Sequence, residues 1–269
     1  MAGFGYIPRG GQIKDLACRI AGQPNFMRRL QAPVLMRMLD LAPGRAALDL
    51  GCGSGWLTRE IARRCRFAAG ADLRIDRAAL RGLPENCVLL ACDGARLPFR
   101  NGSFDRVLLS SVLQMLPDDR AILAEVRRVL APEGRAVLSV PVGYLYLDRL
   151  CESPGRLHAF FVRRLRFPAT REELRDRLGV GFGVRGKGYY APASIAALVE
   201  GAGFRVVGTR YAPGRAASAI FETWLAFTLI LGLNPASMLP FILYPLFALR
   251  GGSGSPAAGD ELVMEISPK

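Results

Sequence analysis

A short apolar run ending in a glycine-rich turn constrains this chain more than any other stretch. Ala46-Ala47-Leu48-Asp49-Leu50 is apolar apart from Asp49, as a central parallel strand is, and it runs into Gly51-Cys52-Gly53-Ser54-Gly55-Trp56-Leu57-Thr58. Gly51, Gly53 and Gly55 let backbone approach a ligand with no Cβ in the way. Leu57 to about Arg64 predicts a helix whose first N–H groups face that turn. A nucleotide-like ligand suits such a strand–turn–helix. It is not a dinucleotide turn, because the third glycine falls one residue early and Trp56 occupies the small position. No lysine stands where a Walker-type loop needs one. A tight turn holding no ligand is the alternative reading of this pattern alone.

More strand–helix units follow. Phe67-Ala68-Ala69-Gly70-Ala71-Asp72 reads as a second strand with a terminal acid, and Leu89-Leu90-Ala91-Cys92-Asp93-Gly94-Ala95 as a third strand and loop. Phe104 to Ser111 reads as the fourth, and Pro117-Asp118-Asp119 opens a helix over 119–130 with Ile122, Val126 and Val129 on one face. Glu133-Gly134 is expected to turn the chain into a fifth strand, Arg135 to Val140. Strand and helix in alternation imply a parallel sheet with helices on both faces and ligands at the carboxyl ends of the strands. With these motifs in order, residues 46–141 resemble the class I S-adenosylmethionine-dependent methyltransferases of the small-molecule and lipid type, with a weaker match over 189–211.

The resemblance implies a Rossmann-like α/β three-layer sandwich: a mostly parallel seven-stranded sheet whose last strand is antiparallel. It implies S-adenosylmethionine as methyl donor and, since the sulfonium already activates the methyl group, no metal. Gly51, Cys52, Gly53, Ser54 and Gly55 would pack on the amino-acid and ribose part, and Asp49 would reach the amino group. Asp72, with Leu73 beside it, would accept the ribose hydroxyls; Cys92, Asp93, Gly94 and Ala95 would meet the adenine; Ser110 and Ser111 would flank the methionine end. Asp105 is expected to organise a strand entry, and Ser111 reads equally well as a small packing residue. No general base is assigned. His158, the only histidine, Tyr189 and Tyr190 are candidates, each with a plain structural alternative, and Tyr144 and Tyr146 could shape a pocket. Met115 stands near where many of these enzymes place a histidine, and Ser110-Ser111-Val112-Leu113 replaces the N/D-P-P-Y/F motif of amino-directed enzymes.

Four regions are expected: a helical N-terminal extension (1–45), the cofactor-binding core (46–141), a lid and substrate insertion (142–190), and the end of the core (191–269). In the extension, Asn25 could cap a helix carrying Met27 and Leu30, and Pro33 could start another with Val34, Leu35, Met38 and Leu39, stopped by Pro43-Gly44. The insertion is aromatic and basic, with Arg156, Arg163, Arg164 and Arg166, and its glycines, among them Gly179, Gly181 and Gly183, suggest a mobile loop. Ser194 to Gly201 predicts a helix, and Phe204 to Arg210 and Glu261 to Ile266 the last two strands. An apolar hairpin over 217–250 interrupts them: Thr223 to Leu249 has no charged residue but carries Pro235, Pro240 and Pro245. Both flanking strands must join one sheet, so the segment is expected to dip into one leaflet or to cap the protein. Arg210, Arg215 and Arg250 flank it for lipid phosphates.

The chain has 269 residues, 51% of them apolar, enough for one elaborated domain. The six cysteines form no C-x-x-C pair or metal spacing, which points to thiols in a reducing compartment, and Met1 to Arg19 lacks the apolar core of a signal peptide. A net charge of +13 favours anionic partners, carried almost wholly by arginine. The expected function is methyl transfer to a small or lipid-like acceptor at the cytoplasmic membrane face, with contact through 220–249; the acceptor is a prenylated quinone, a phospholipid headgroup or a lipid-linked glycan. An RNA methyltransferase, disfavoured by the missing motifs, and a non-catalytic S-adenosylmethionine-binding module are the alternatives. Methylated atom and oligomeric state are left open.

Overall fold

The computed structural model describes residues 26–116, 118–143, 146–152, 155–165, 167–170, 173–174, 190–212, 214–215, 218–219, 222–223, 226 and 261–269. In chain order the elements are α1 (Phe26–Leu39), β1 (Ala46–Leu50), α2 (Trp56–Ala62), β2 (Phe67–Asp72), β3 (Cys87–Ala91), β4 (Phe104–Ser110), α3 (Asp119–Val129) and β5 (Leu130–Pro141). Then come α4 (Leu147–Glu152), α5 (Arg156–Leu165), α6 (Pro192–Gly201), β6 (Phe204–Ala212) and β7 (Glu261–Pro268).

The sheet runs β3-β2-β1-β4-β5-β7-β6. β1 to β5 pair in parallel, and β7 lies antiparallel between β5 and β6. The Rossmann-like sandwich with an antiparallel last strand is therefore present. All five residues of β1 are buried, because helices cover both of its faces. One core lies under α3 and α6, with Leu48, Val107, Leu123, Val126, Leu138, Val199 and Phe204; the other lies under α1 and α2, with Leu35, Leu39, Ile61, Leu108 and Val137. Each such Leu or Phe contributes about 1.5–3 kcal/mol by leaving water. α3 starts as expected, its Asp118 cap accepting from the Ala121 N–H at 3.0 Å.

Two local expectations are corrected. Pro33 does not begin a second helix but lies inside the single helix α1. Its ring costs one backbone hydrogen bond, about 3 kcal/mol in a helix interior. Pro33 is exposed, while Ala32, Val34, Leu35 and Leu39 are buried, so packing on the sheet holds the helix together across it. The turn at Glu133-Gly134 is also absent. β5 begins at Leu130 and absorbs the misfit as an irregularity, its pairing stepping from Phe104↔Leu130 to Arg106↔Arg135.

α1 runs against β4. Its last carbonyl, on Leu39, accepts from Nε of the buried Arg106 at 2.8 Å near the start of β4, and Asp40, at φ 48, accepts from Arg106 Nη2 at 3.0 Å. Its first turn thus lies over the other end of the sheet. Asp105 does organise a strand entry, accepting from the Ala46 N–H at 2.8 Å. In the insertion, α4 is tied to the later chain by buried Glu222, which accepts from the N–H groups of Tyr146 at 2.8 Å and Leu147 at 2.5 Å. Most of the apolar hairpin and the glycines of 179–188 lie outside the described residues. Among the described residues, no helix is long and apolar enough to cross a membrane.

Candidate active site

The glycine turn hangs from β2. The N–H groups of Gly51 and Cys52 both donate to the Ala71 carbonyl, at 2.7 and 3.2 Å, and Gly55 N–H donates to Cys52 O at 2.9 Å. Gly51, Gly53 and Gly55 have φ of 74, 52 and 69°, where an L side chain is strained. Gly51 is also closed sterically: a Cβ there would stand 2.3 Å from Val112 Cγ2. Around Gly53 the space is open. Arg59 braces the turn from α2, donating to Ser54 O at 3.1 Å.

Three acids line this stretch of rim. Asp72, half-buried at the end of β2, accepts from Gly53 N–H at 2.9 Å and from Arg74 N–H at 3.3 Å. Its two oxygens offer about four acceptor positions, so the carboxylate keeps capacity for a ligand's hydroxyls. Asp93, exposed after β3, accepts from Ala95 N–H at 2.9 Å and lies 3.6 Å from Arg96. Asp49 is buried inside β1 and accepts from the Thr58 hydroxyl at 2.7 Å. Burial pushes its carboxyl up to about 6; the Thr58 bond and the Arg28 charge act against this, while Asp72 adds to it. Burial, with Asp49 and Asp72 nearby, also pushes the Cys52 thiol far up, so it is no nucleophile at neutral pH. Leu73 is 66% exposed, a large apolar side chain left in water beside a carboxylate. Cys92, Gly94 and Ala95 are half-buried beside Asp93, and Ser54 is exposed on the turn.

The other half of the rim is a polar cluster on β4, β5, β7 and α1. Ser110 and Ser139 are partners across β4 and β5, with hydroxyls 3.3 Å apart. Ser111 follows at φ 53, its N–H donating to Ser139 O at 3.0 Å and Ser139 Oγ at 3.1 Å. Because β7 is reversed, its first residue lies at this same rim: buried Glu261 accepts from Ser111 Oγ with one oxygen and from Gln31 Nε2 with the other. Arg28 donates from Nη1 to Ser110 Oγ, and from Nη2 to Ser110 O at 3.0 Å; its Nη1 also lies 3.4 Å from Ser111 Oγ. Sequence reasoning named Ser110 and Ser111 but missed Arg28, Gln31, Ser139 and Glu261. The one available signal was an acid heading the apolar run Leu262-Val263-Met264.

Of the candidate bases, Tyr190 donates its hydroxyl to Asp119 at 2.9 Å, and burial together with that carboxylate holds its proton more tightly than usual. His158 belongs to α5, its side chain outside the described residues, as is Tyr189 altogether; Tyr146 Oη donates to Arg215 O at 3.4 Å. Among the described residues, no cluster of His, Cys, Asp or Glu is placed to hold a metal ion.

Residues 48–138 match the family model of a methyltransferase domain. This segment is a class I S-adenosylmethionine-dependent methyltransferase domain. Around it, the chain is 38% identical over 109 residues to a demethylmenaquinone methyltransferase of Corynebacterium urealyticum, covering 39% of this chain and 47% of that one. The chain spans about half the length of the curated relatives it matches. A solved S-adenosylmethionine-dependent methyltransferase from Mesorhizobium loti shares its fold at a TM-score of 0.56 and 19% identity, covering 90% of this chain and 99% of that one. So does the [4+2]-cyclase SpnF, at 0.55 and 17%, covering 95% and 92%.

The residues of the methyltransferase domain's rim fit S-adenosylmethionine. The turn admits no Cβ at Gly51 and leaves the space around Gly53 open. Asp72 and Asp93 present acceptors at neighbouring strand ends for a diol and an amino group.

Proposed function

We propose that this chain transfers the methyl group of S-adenosylmethionine to a hydroxylated aromatic acceptor of the prenylated-quinone class. The observation that carries the reading is the glycine turn flanked by Asp49, Asp72 and Asp93 and continued, along one rim, by the hydroxyl and carboxylate cluster at Ser110, Ser111 and Glu261. Asp72 would hold the ribose hydroxyls, Leu73 and Ala95 the faces of the adenine and Asp93 its amino group, while Asp49, buried behind the turn, would favour the charged amine by its negative charge or through a water. The sulfonium supplies an already activated methyl group, and the protein's work is alignment. The relatives named demethylmenaquinone methyltransferases support the acceptor class.

A prenylated acceptor resides in a bilayer, so the reading places the enzyme at the cytoplasmic membrane face. Thr223 to Leu249, without a charged residue, supports this, as do α5 with Phe160 53% exposed and Arg163 and Arg164 exposed beside it. Residues 142–190 leave the carboxyl end of β5 and would close over the acceptor as a lid.

Since a cyclase shares the fold, the test must read methyl transfer and not binding alone. Radiolabelled S-adenosylmethionine is offered with membrane lipids containing demethylated naphthoquinol, and separately with whole-cell RNA. Label in the quinone fraction, lost with Asp72→Ala, is the expected result. Label in RNA alone, or binding without transfer, would overturn the reading.

A further inference from the structure

We propose that Ser111 and Glu261 form a proton relay for the acceptor, with Ser111 as the group that touches substrate and Glu261 as the positioning residue that receives the proton behind it. The inference rests on the quinol reading above and adds the base that reading lacks.

Two independent observations meet at Ser111. It is one of two non-glycine residues with positive φ among those described, a conformation that costs of order 1–3 kcal/mol and is kept only where surroundings demand it. The Ser139 carbonyl and hydroxyl provide that demand by taking its N–H. The result aims its hydroxyl at Glu261 rather than along β4. Glu261, in turn, is 4% exposed, too buried to meet an acceptor itself, and it receives two neutral donors, Ser111 Oγ and Gln31 Nε2. A buried carboxylate at the head of an apolar strand is expensive as packing. Ser111 is half-buried, next to the serine expected to flank the methionine end, and is the more exposed member of the pair.

The balance is simple. The acceptor O–H bond breaks and its proton joins Ser111 Oγ while the serine's own proton passes to Glu261. The serine ends neutral and the carboxyl protonated. The electron pair left on the acceptor, on oxygen or delocalised to the adjoining ring carbon, forms the bond to the methyl carbon, and the pair of the broken carbon–sulfur bond stays on sulfur. Where carbon is methylated, that carbon's own hydrogen then leaves to solvent as a proton, its bonding pair restores the aromatic ring, and the ring oxygen takes a proton back from solvent. The carboxyl returns its proton to solvent when product leaves.

The full chain is assayed with S-adenosylmethionine and a reduced short-chain 2-prenyl-1,4-naphthoquinone in detergent, and S-adenosylhomocysteine binding is measured by calorimetry. Glu261→Gln is expected to lower kcat about 100-fold or more, leaving KM and S-adenosylhomocysteine affinity within threefold. Glu261→Asp should recover part of the loss, and Ser111→Ala should lose as much as Glu261→Gln. Ser111→Gly gives a readout free of activity: it loses the same hydrogen bond to Glu261 as Ser111→Ala but not the backbone strain, so it should melt a few degrees above Ser111→Ala in an enzyme equally slow. If Glu261→Gln does not fold, the two Ser111 variants decide. Near-normal kcat in Ser111→Ala or Glu261→Gln overturns the relay while sparing the quinol reading, and so does a loss of S-adenosylhomocysteine binding in parallel with activity. No turnover by the unaltered chain overturns both.

Discussion

The two halves of the active rim are built differently. The half over β1, β2 and β3 is made by residues 49–95, and its polar contacts close over short distances in sequence: Asp93 to Ala95, Asp49 to Thr58, Asp72 to Gly53. The half over β4, β5 and β7 joins Arg28 to Ser110, Ser111 to Glu261 and Gln31 to Glu261, across 82, 150 and 230 residues. The first is backbone geometry that a glycine pattern dictates, suited to a ligand whose form is constant. The second exists only once α1 and β7 have docked, and it can change by altering either without disturbing the turn. That division suits an enzyme with one methyl donor and a particular acceptor.

The comparison breaks most sharply where α1 meets the sheet. Leu35→Ala should cost about 2–5 kcal/mol by leaving a cavity, read by denaturant unfolding. If the halves are separable, the surviving protein loses methyl transfer through displaced Arg28 and Gln31 yet binds S-adenosylhomocysteine normally. Equal loss of both would show one cooperative site. Gly51→Ala attacks the other half. A Cβ 2.3 Å from Val112, at φ 74°, should cost about 2–4 kcal/mol and abolish binding measured by calorimetry. Asp72→Ala removes a carboxylate that accepts charge-assisted hydrogen bonds and should weaken cofactor affinity about 100-fold, with little change in Tm.

A pH series sharpens the same contrast. The Asp49 carboxyl is raised from 3.8 to about 6 in the fold, so its contribution to stability is full below pH 3.8 and is lost as pH rises through 6. At pH 7 the buried charge costs on the order of 3 kcal/mol, and Asp49→Asn should melt higher there while matching the parent near pH 4. A ligand amine favours the ionised carboxylate, so S-adenosylmethionine affinity should fall about tenfold per pH unit below 6. Arg28, which lowers the same carboxyl, and Asp72, which raises it, set where that fall begins. The smallest effect is expected at Asp93→Ala: about a few-fold in affinity, since its carboxylate is exposed and already bound to Ala95 N–H.

Some of the arginine serves the fold itself. Arg106 closes α1, Arg59 braces the glycine turn, and Arg128 donates to the carbonyls of Phe99 at 2.7 Å and Leu97 at 2.9 Å while pairing with Glu125. Arginines of this kind tie loops to helices, so a formal charge of +13 overstates what is offered to an anionic partner.

The order of strands and helices, the elbow at Gly51 to Gly55, the acids Asp49, Asp72 and Asp93, and the opening of α3 at Pro117-Asp118-Asp119 were all legible in the chain, because each depends on neighbours within a few residues or on an apolar period. The persistence of α1 through Pro33 and the irregular start of β5 were not: propensity points the other way, and burial against a distant sheet outweighs it. Glu261, Arg28 and Gln31 carry no local mark either. They come together only because β7 enters the sheet reversed and α1 crosses it from rim to rim, placing groups far apart in sequence within hydrogen-bonding reach.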